Sequence, residues 1–242
     1  MTTLVKIIVT AMLSLSLFSC NFDMDINSGV KGNGTVTTEN RTINQPFTAI
    51  KASEGLDVYV TQSERENVSV EADENLQDII MTEVTDGVLK IHTKKNISKS
   101  KSKKVMVHFK TISNITATSG SDVYGKNTIT VQNLELKTTS GSDMTLDVET
   151  HTLTCKATSG SDLKLTGKTI NLTAEATSGS DINAAQLIAQ TSNVKASSGS
   201  DITINTTKEL IAKASSGGDV KYYGTPERVN KSASSSGSIT QK

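Results

Sequence analysis

Between Ile115 and Tyr222, apolar or small residues recur at every second position, in blocks separated by the short motif Ser-Gly-Ser-Asp. When the motif Asp is counted as position 0, positions −7, −5, +1 and +3 are apolar or small, whereas positions +2 and −6 are mostly Lys, Thr, Asn or Glu. A period of two is typical of a β-strand that buries one face. The pattern therefore predicts strands on both sides of each motif.

The motif returns with a spacing close to twenty residues. Its last copy reads Ser-Gly-Gly-Asp, a relic at Ser236-Gly237-Ser238 lacks the Asp, and Ser53-Glu54-Gly55-Leu56-Asp57 is a degenerate upstream copy. The stretch from Asp57 to Asp122 leaves room for about three further periods without the motif. The motif carboxylates, called the Asp column below, are Asp122, Asp143, Asp162, Asp181, Asp201 and Asp219.

A period of twenty with strand alternation indicates a solenoid made of strands. Leucine-rich repeats need a Leu-rich strand with Asn or Cys at a fixed offset, and helical repeats need a period of 33 residues or more. Thr, Ser, Val, Ile and Gly dominate here instead, and they favour strands and turns. The sequence therefore predicts an all-β fold, a right-handed parallel β-helix (β-solenoid) with coils of about 20 residues.

The phase of the alternation predicts which motif side chains face the core. If the alternation continues through the motif, Ser at −3 and −1 points inward, while Gly at −2 and Asp at 0 point outward. Length differences between copies fall between +4 and −10, so the variable loops are expected on one side of the rod.

The N-terminal part lacks the regular motif and is expected to cap the solenoid over residues 35–110, with the repeats over 111–242. Strand patterns run over Phe47–Val60 and Asn67–Val70, and Asp86-Gly87 predicts a hairpin turn. A short helix is predicted over Asp73–Ile80. Six Lys between Lys94 and Lys104 are interpreted as a solvated loop rather than a patch for anionic lipid or nucleic acid.

The first residues predict export. Residues 1–19 carry one charge, Lys6, and a run of twelve apolar or small residues that is too short to span a bilayer as a helix. The run ends in Leu17-Phe18-Ser19-Cys20, which resembles a bacterial lipobox and implies cleavage before Cys20 and a lipid anchor on it. Residues 20–34 then predict a flexible tether. The protein is expected in the cell envelope, at the outer membrane, facing the periplasm or the cell surface.

The amino-acid composition excludes some classes of protein. The chain has 25 Lys and Arg and 25 Asp and Glu, so its formal net charge of zero argues against nucleic-acid binding. Two Cys cannot make a disulfide scaffold. With Cys20 lipidated, Cys155 has no partner, and its place in the apolar pattern predicts a buried, inert thiol.

Several stretches together resemble one family. They are Gly32-Asn33-Gly34, Phe47-Thr48-Ala49-Ile50, Gly55-Leu56-Asp57-Val58-Tyr59-Val60, Val70 to Leu76, and the serial Ser-Gly-Ser-Asp copies. This combination is similar to the auto-transporter adhesin, head GIN domain family, over about residues 33–242. The resemblance implies a parallel β-helix in exported bacterial proteins and brings no catalytic residues with it.

The Asp column is the sharpest candidate site. Stacked carboxylates about 5 Å apart repel by about 0.8 kcal/mol per pair in water, so something should offset the charge. A divalent cation such as Ca²⁺ could bridge the coils. The interpretation preferred here is that each Asp accepts hydrogen bonds from turn N–H groups, with no metal and no cofactor.

An enzyme is the competing class, because other β-helices act on polysaccharides through acidic and basic residues in a long groove. The histidines, His92, His108 and His151, form no catalytic motif with other residues, and regular repetition argues against an active site. The sequence therefore predicts a non-catalytic, lipid-anchored surface of structural or adhesion type. Its partners would be the membrane, through Cys20, and a protein or polysaccharide.

Overall fold

A computed structural model describes residues 29–242 of the protein. The predicted export signal over 1–19 and the predicted lipidation site Cys20 lie outside the described residues. Within them the fold is nearly all β, with nineteen strands and one 3₁₀ turn at Glu74–Leu76. The strands are β1 (Val30–Lys31), β2 (Val36–Arg41), β3 (Ala49–Ala52), β4 (Asp57–Gln62), β5 (Asn67–Asp73), β6 (Ile80–Thr85), β7 (Val88–Thr93), β8 (Ile97–Lys99), β9 (Lys103–Phe109), β10 (Asn114–Ala117), β11 (Asp122–Gly125), β12 (Ile129–Thr139), β13 (Asp143–Thr158), β14 (Asp162–Thr177), β15 (Asp181–Ser197), β16 (Asp201–Ser215), β17 (Asp219–Tyr223), β18 (Arg228–Ala233) and β19 (Ser238–Gln241).

The repeat region, residues 111–242, is a parallel β-solenoid, as the alternation predicted. Each coil pairs in parallel with the next, and the motif positions stay in register, so that Asp143 lies opposite Asp162 and Asp162 opposite Asp181. The positions predicted to face inward are buried, including Leu163 and Leu165, each 1% exposed. Because one coil cannot bury its own apolar face, this stacking supplies the core.

Coils of unequal length meet on one side of the solenoid. The register shifts between Lys164 and Thr166, between Ala184 and Ile188, and between Ala189 and Thr191. All three shifts fall between the stretch that follows each Asp and the stretch that precedes the next motif. The side that carries the Asp column keeps its register, which agrees with the expected placement of the variable segments.

The N-terminal region, residues 29–110, joins the solenoid out of chain order. Strands β3 and β4 pair in parallel with β10 and β11 on one side and with β7 and β9 on the other. The three further periods expected between Asp57 and Asp122 are therefore wrong. This stretch instead forms one more coil, β7 with β9, and the antiparallel strands around it.

Antiparallel strands cover the outer edge of this first coil. Strand β5 pairs antiparallel with β2 and β9, and β6 pairs antiparallel with β7. The β6–β7 hairpin turns at Asp86 and Gly87, whose φ angles of 52° and 73° suit the predicted Asp-Gly turn. A cap over the open sheet edge is thereby built from the strands of residues 29–110.

The helix predicted over residues 73–80 is wrong, because only the 3₁₀ turn Glu74–Leu76 forms. The Asp73 carboxylate makes no capping hydrogen bond to this turn. It accepts instead from the backbone N–H groups of Gly34, Lys101 and Ser102. Those partners come from other parts of the chain, and Ile80 already begins β6.

Part of the predicted tether and part of the predicted lysine loop pair with each other. Strand β1 runs parallel to β8, with Val30 opposite Ile97. The Gly32 N–H donates to the Lys99 carbonyl at 2.8 Å. The chain therefore joins the fold at Val30, earlier than the tether boundary expected at residue 34.

The C-terminal end is closed by polar side chains at inward positions. Strands β18 and β19 are the last in the stack, and Val229 remains 43% exposed. The Lys231 ammonium lies 4.6 Å from the ring centroid of Tyr222, whose hydroxyl bonds to Gln241 at 3.3 Å. An inward charge on an edge strand discourages pairing with another chain.

Candidate functional site

The Ser-Gly-Ser-Asp motif forms a tight corner between two strands. In all six copies Ser at −3 has φ of 52° to 60° and Gly at −2 has φ of 65° to 73°, the left-handed region at both central positions. Ser at −3 is exposed, so the expectation that it points inward is wrong. Two successive left-handed residues break the alternation, and positions −4 to −2 all lie on the outside of the corner.

Ser at −1 is fully buried, as predicted, and it holds the corner together. Ser180 Oγ accepts from the Thr177 N–H at 3.1 Å and lies 2.8 Å from the Ala157 carbonyl of the preceding coil. Ser200 has the same contacts, to the Ser197 N–H at 3.0 Å and the Ala176 carbonyl at 2.8 Å. The N–H at position −4 is therefore bound by this serine rather than by Asp. That the column carboxylates accept from the other backbone N–H groups of the turns stays a prediction.

Two carboxylates of the Asp column are bound by the backbone of the next coil, Asp122 by the Asp143 N–H and Asp162 by the Asp181 N–H. Its six carboxylates stack along one face, and the register adds Asp57 opposite Asp122 as a seventh member. Asp122 accepts from the Tyr124 hydroxyl at 3.3 Å, and Asp201 lies 3.8 Å from Lys221 Nζ. Among residues 29–242, the central carboxylates of Asp143, Asp162 and Asp181 form no ion pair.

The pKa is raised at two members of the column, Asp122 and Asp162. Desolvation, followed by the negative charges of Asp143 and Asp181, raises the pKa of Asp162 above its ordinary value, although the Asp181 N–H opposes the shift. Desolvation and then Asp143 and Asp57 raise the pKa of Asp122, although the Tyr124 hydroxyl opposes the shift. Ionisation of these two carboxyl groups is therefore less favourable in the folded protein than in water.

Two tyrosines lie beside the column at its N-terminal end. The Tyr59 and Tyr124 rings stack with centroids 5.3 Å apart, and the Lys126 ammonium lies 4.3 Å from the Tyr59 centroid. This pair could not be predicted from local sequence patterns, since the two residues are 65 positions apart. A signal was nevertheless present, because Gly55 to Tyr59 and Gly120 to Tyr124 both read Gly-x-Asp-Val-Tyr.

The middle of the column borders a shallow depression of about 330 Å³. The depression runs across three successive coils, so it offers the same side-chain types repeatedly rather than one converging set. Its lining residues are Asp143, Met144, Thr145, Asp162, Leu163, Lys164, Asp181 and Asn183.

The described residues bring no metal-binding set together. Within residues 29–242, no three His, Cys, Asp or Glu side chains are grouped closely enough to hold a metal ion. His92 lies 3.9 Å from Glu83, and His151 contacts the adjacent Thr152 hydroxyl. Cys155 is free and 1% exposed, and burial raises the pKa of its thiol far above the ordinary value, as expected for an inert thiol.

A repeat-built β-solenoid with an outward ladder of carboxylates is the class of protein that the fold and the site define. The chain belongs to the family described as "Putative auto-transporter adhesin, head GIN domain", whose model matches residues 46–226. This confirms the family that the sequence motifs resembled.

Solved bacterial structures share the fold. One described as a "putative adhesin" from Bacteroides fragilis is similar with a TM-score of 0.82 at 22% identity, covering 88% of this chain and 100% of that chain. A "putative adhesin" from Parabacteroides distasonis has a TM-score of 0.74 at 22% identity, with coverages of 88% and 99%. A "putative lipid binding protein" from the same organism has a TM-score of 0.72 at 21% identity, again with coverages of 88% and 99%. At these identities the likeness shows the fold alone.

A comparison with curated proteins found no match. Among residues 29–242, no helix has the length and apolarity required to cross a membrane.

Proposed function

We propose that this protein is an exported, lipid-anchored β-solenoid that presents a non-catalytic, adhesion-type interaction surface at the bacterial cell envelope. Membership in a family described as adhesins supports the adhesion-type role. The lipobox-like sequence that ends at Cys20 supports the anchor. The Asp column is the interaction surface that we assign to the protein.

The observation that carries the assignment is the unpaired centre of the column. One carboxylate stands at the same position of three successive coils, at Asp143, Asp162 and Asp181. Among the described residues, none of the three is ion-paired. Negative charge aligned without compensation destabilises a fold, so a partner that supplies positive charge would recover that free energy on binding. Regular spacing suits a partner with repeated groups, such as a polysaccharide bearing amines or a basic protein segment.

Adhesion provides the test of the surface. Cells that display the wild-type protein would be compared with cells that display the triple variant Asp143→Asn, Asp162→Asn, Asp181→Asn, on surfaces coated with a polycationic polysaccharide. A matched control removes three exposed carboxylates outside the column, Glu64→Gln, Glu66→Gln and Glu135→Gln. We expect the column variant to lose attachment and the control to keep it. Equal attachment by all three would contradict the assignment.

The anchor has its own test. Cys20→Ala should abolish labelling by a lipid precursor and move the protein from the membrane to the soluble fraction. Detergent partitioning that does not change in this variant would contradict lipidation.

Exposure at the cell surface can be measured by protease treatment of whole cells, with and without permeabilisation. Digestion of the intact cells would show a surface role. Protection that disappears only on permeabilisation would restrict the interaction surface to periplasmic partners.

A further inference from the structure

A second surface lies at the N-terminal end of the solenoid, away from the centre of the Asp column. A depression of about 470 Å³ opens between the turn of the β3–β4 coil and the segment that joins β7 to β9. Pockets for small ligands have volumes of about 300–1,000 Å³, so the space suits a small molecule or a headgroup. The side chains that carry the argument are Glu54, Lys94, Lys95, Lys103 and Ser119.

The charge of the depression is positive. Lys94, Lys95 and Lys103 line it, and within residues 29–242 none of the three forms an ion pair. Neighbouring Lys104 behaves differently, since it pairs with Glu71 at 3.2 Å. The lysine run that was interpreted as a solvated loop therefore contains one ion-paired lysine and three lysines that line a concave space.

The one carboxylate that lines the depression, Glu54, accepts two hydrogen bonds from Thr93. Glu54 Oε2 accepts from the Thr93 N–H at 2.6 Å and from the Thr93 hydroxyl at 2.9 Å. Glu54 occupies the −3 position of the degenerate motif, with φ of 63°, where the regular copies have an exposed Ser. It fixes the end of β7, and because three lysines line the depression with this single carboxylate, the net charge of the depression stays positive.

The lysines are held by the cap rather than by a loose loop. Lys103 begins β9, which pairs with β4, and a Cβ built on Gly55 would lie 3.4 Å from the Lys103 ammonium nitrogen. The buried Asp73 carboxylate accepts from the N–H groups of Lys101 and Ser102, which precede this strand. The backbone on the Lys103 side of the depression is thereby held by the cap, so less of the chain has to be ordered on binding.

The depression lies near the start of the described chain. Ile97 lines it and lies opposite Val30 of β1. Val30 follows Cys20 by ten residues, a length that spans at most about 36 Å when fully extended. If Cys20 carries the anchor, these lysines are on the part of the protein tied closest to the membrane.

We propose that this depression binds the phosphate of an anionic lipid headgroup, with Lys94, Lys95 and Lys103 as the cationic ligands and the Ser119 hydroxyl as an additional donor. Ammonium groups attract phosphate oxygens as point charges, and Lys is well suited to that role. Such a contact would orient the solenoid on the membrane, with its repeat coils pointing away. The proposal rests on the lipid anchor of the proposed function, because the anchor is what places a membrane beside this end.

The test uses the unlipidated mature chain, residues 20–242, which keeps every described strand because residues 1–19 precede all of them. Sedimentation with vesicles of phosphatidylethanolamine containing phosphatidylglycerol would be compared with sedimentation with phosphatidylcholine vesicles. The pocket variant is Lys94→Gln, Lys95→Gln, Lys103→Gln. The control variant removes the same charge from exposed lysines of the repeats, Lys137→Gln, Lys208→Gln, Lys213→Gln.

We expect the wild-type chain and the control variant to sediment with the anionic vesicles only. The pocket variant should bind them about a hundredfold more weakly, since each lysine near an anionic surface contributes about fivefold. Equal losses in both variants would show a general charge effect and overturn the proposal, as would equal binding by all three proteins. A calorimetric titration with inorganic phosphate separates the two sources of the group, because binding of free phosphate without vesicle binding would overturn the headgroup assignment.

This result is independent of the fate of the anchor. Vesicle binding by the unlipidated chain does not require Cys20, so failure here leaves the anchor standing if Cys20→Ala still releases the protein from cells. Conversely, an unchanged Cys20→Ala phenotype removes the anchor while the vesicle measurement still reports on the pocket.

Discussion

The buried acids of the N-terminal cap and the Asp column of the repeat region use their carboxylates in opposite ways. In the N-terminal region Asp73 is completely buried and accepts three backbone N–H groups, and Glu71 is bound by Ser102 and Lys104. In the repeat region the carboxylates of Asp143, Asp162 and Asp181 stand in a row without ion pairs among the described residues. The cap uses individual carboxylates to bind its own backbone and side chains, whereas the centre of the Asp column leaves a row of carboxylates exposed to solvent and to a partner.

The largest expected effect concerns the core that the repeats share. Leu165 is 1% exposed and lies opposite Leu146, so Leu165→Asp would bury an unpaired charge and should lower the free energy of unfolding by several kcal/mol. Lys164→Asp, one position away on the outer face, should cost less than about 1 kcal/mol. Thermal melts of the two variants check this, and equal losses would contradict the assignment of inward and outward positions.

Asp73 provides the corresponding prediction in the cap. Backbone hydrogen bonds, the strongest from Ser102, hold the pKa of Asp73 below its ordinary value although burial opposes them. Because the folded-state pKa is lowered, its stabilisation is present above the unfolded pKa and is lost as the pH falls through the folded one. Asp73→Asn should lower the melting temperature by several degrees at neutral pH and by less in acid. Melts across pH 3 to 7 test this, and a deficit that grows in acid would contradict it.

A smaller loss of stability is expected at the motif serines, and it should differ between position −1 and position −3. Ser180→Ala leaves the Thr177 N–H without its acceptor inside the corner, so the loss should be about 1–3 kcal/mol. Ser178→Gly removes an exposed side chain at a φ of 60°, which glycine adopts without strain, so it should be neutral or slightly stabilising. Denaturant titrations compare the two, and a larger loss for Ser178→Gly would show that the corner has been misassigned.

The smallest effect is expected in the column itself. The raised pKa of Asp162 means that stability falls as the pH rises from the unfolded value through the folded one. Asp162→Asn should therefore be neutral or slightly stabilising at pH 7, and EDTA should leave the melting temperature of the wild-type chain unchanged. A drop of several degrees with EDTA would instead identify a bound cation along the column.

The repeat region could be predicted largely from the sequence because its contacts repeat with the chain. Period-two alternation placed Leu163, Leu165 and Cys155 inside, and the constant spacing placed the motif Asp residues in one column. The same reasoning failed at Ser178 and its counterparts. Alternation of inward and outward side chains requires an extended backbone. Two successive residues in the left-handed region interrupt that backbone, so the side chains at the corner no longer alternate.

The N-terminal region could not be predicted in the same way, because its contacts join segments that are far apart in the sequence. No periodicity of the sequence predicts that β3 lies between β7 and β10, or that β4 lies between β9 and β11. The Asp73 carboxylate was read as a local helix cap, since its true donors at Gly34 and Lys101 are distant in sequence. The stacked Tyr59 and Tyr124 were missed for the same reason, although both follow a motif Gly by four residues.

An NMR titration of the side-chain carboxyl carbons of Asp73 and Asp162 in one wild-type sample tests the comparison most directly. The account predicts that Asp73 titrates below the ordinary pKa of an aspartate, because backbone N–H groups bind its charge. It predicts that Asp162 titrates above that value, because desolvation and its column neighbours oppose its charge. Two carboxyls that shift in the same direction, or an Asp162 that titrates below the ordinary value, would contradict the claim that the centre of the column lacks a compensating positive charge and is available to a partner.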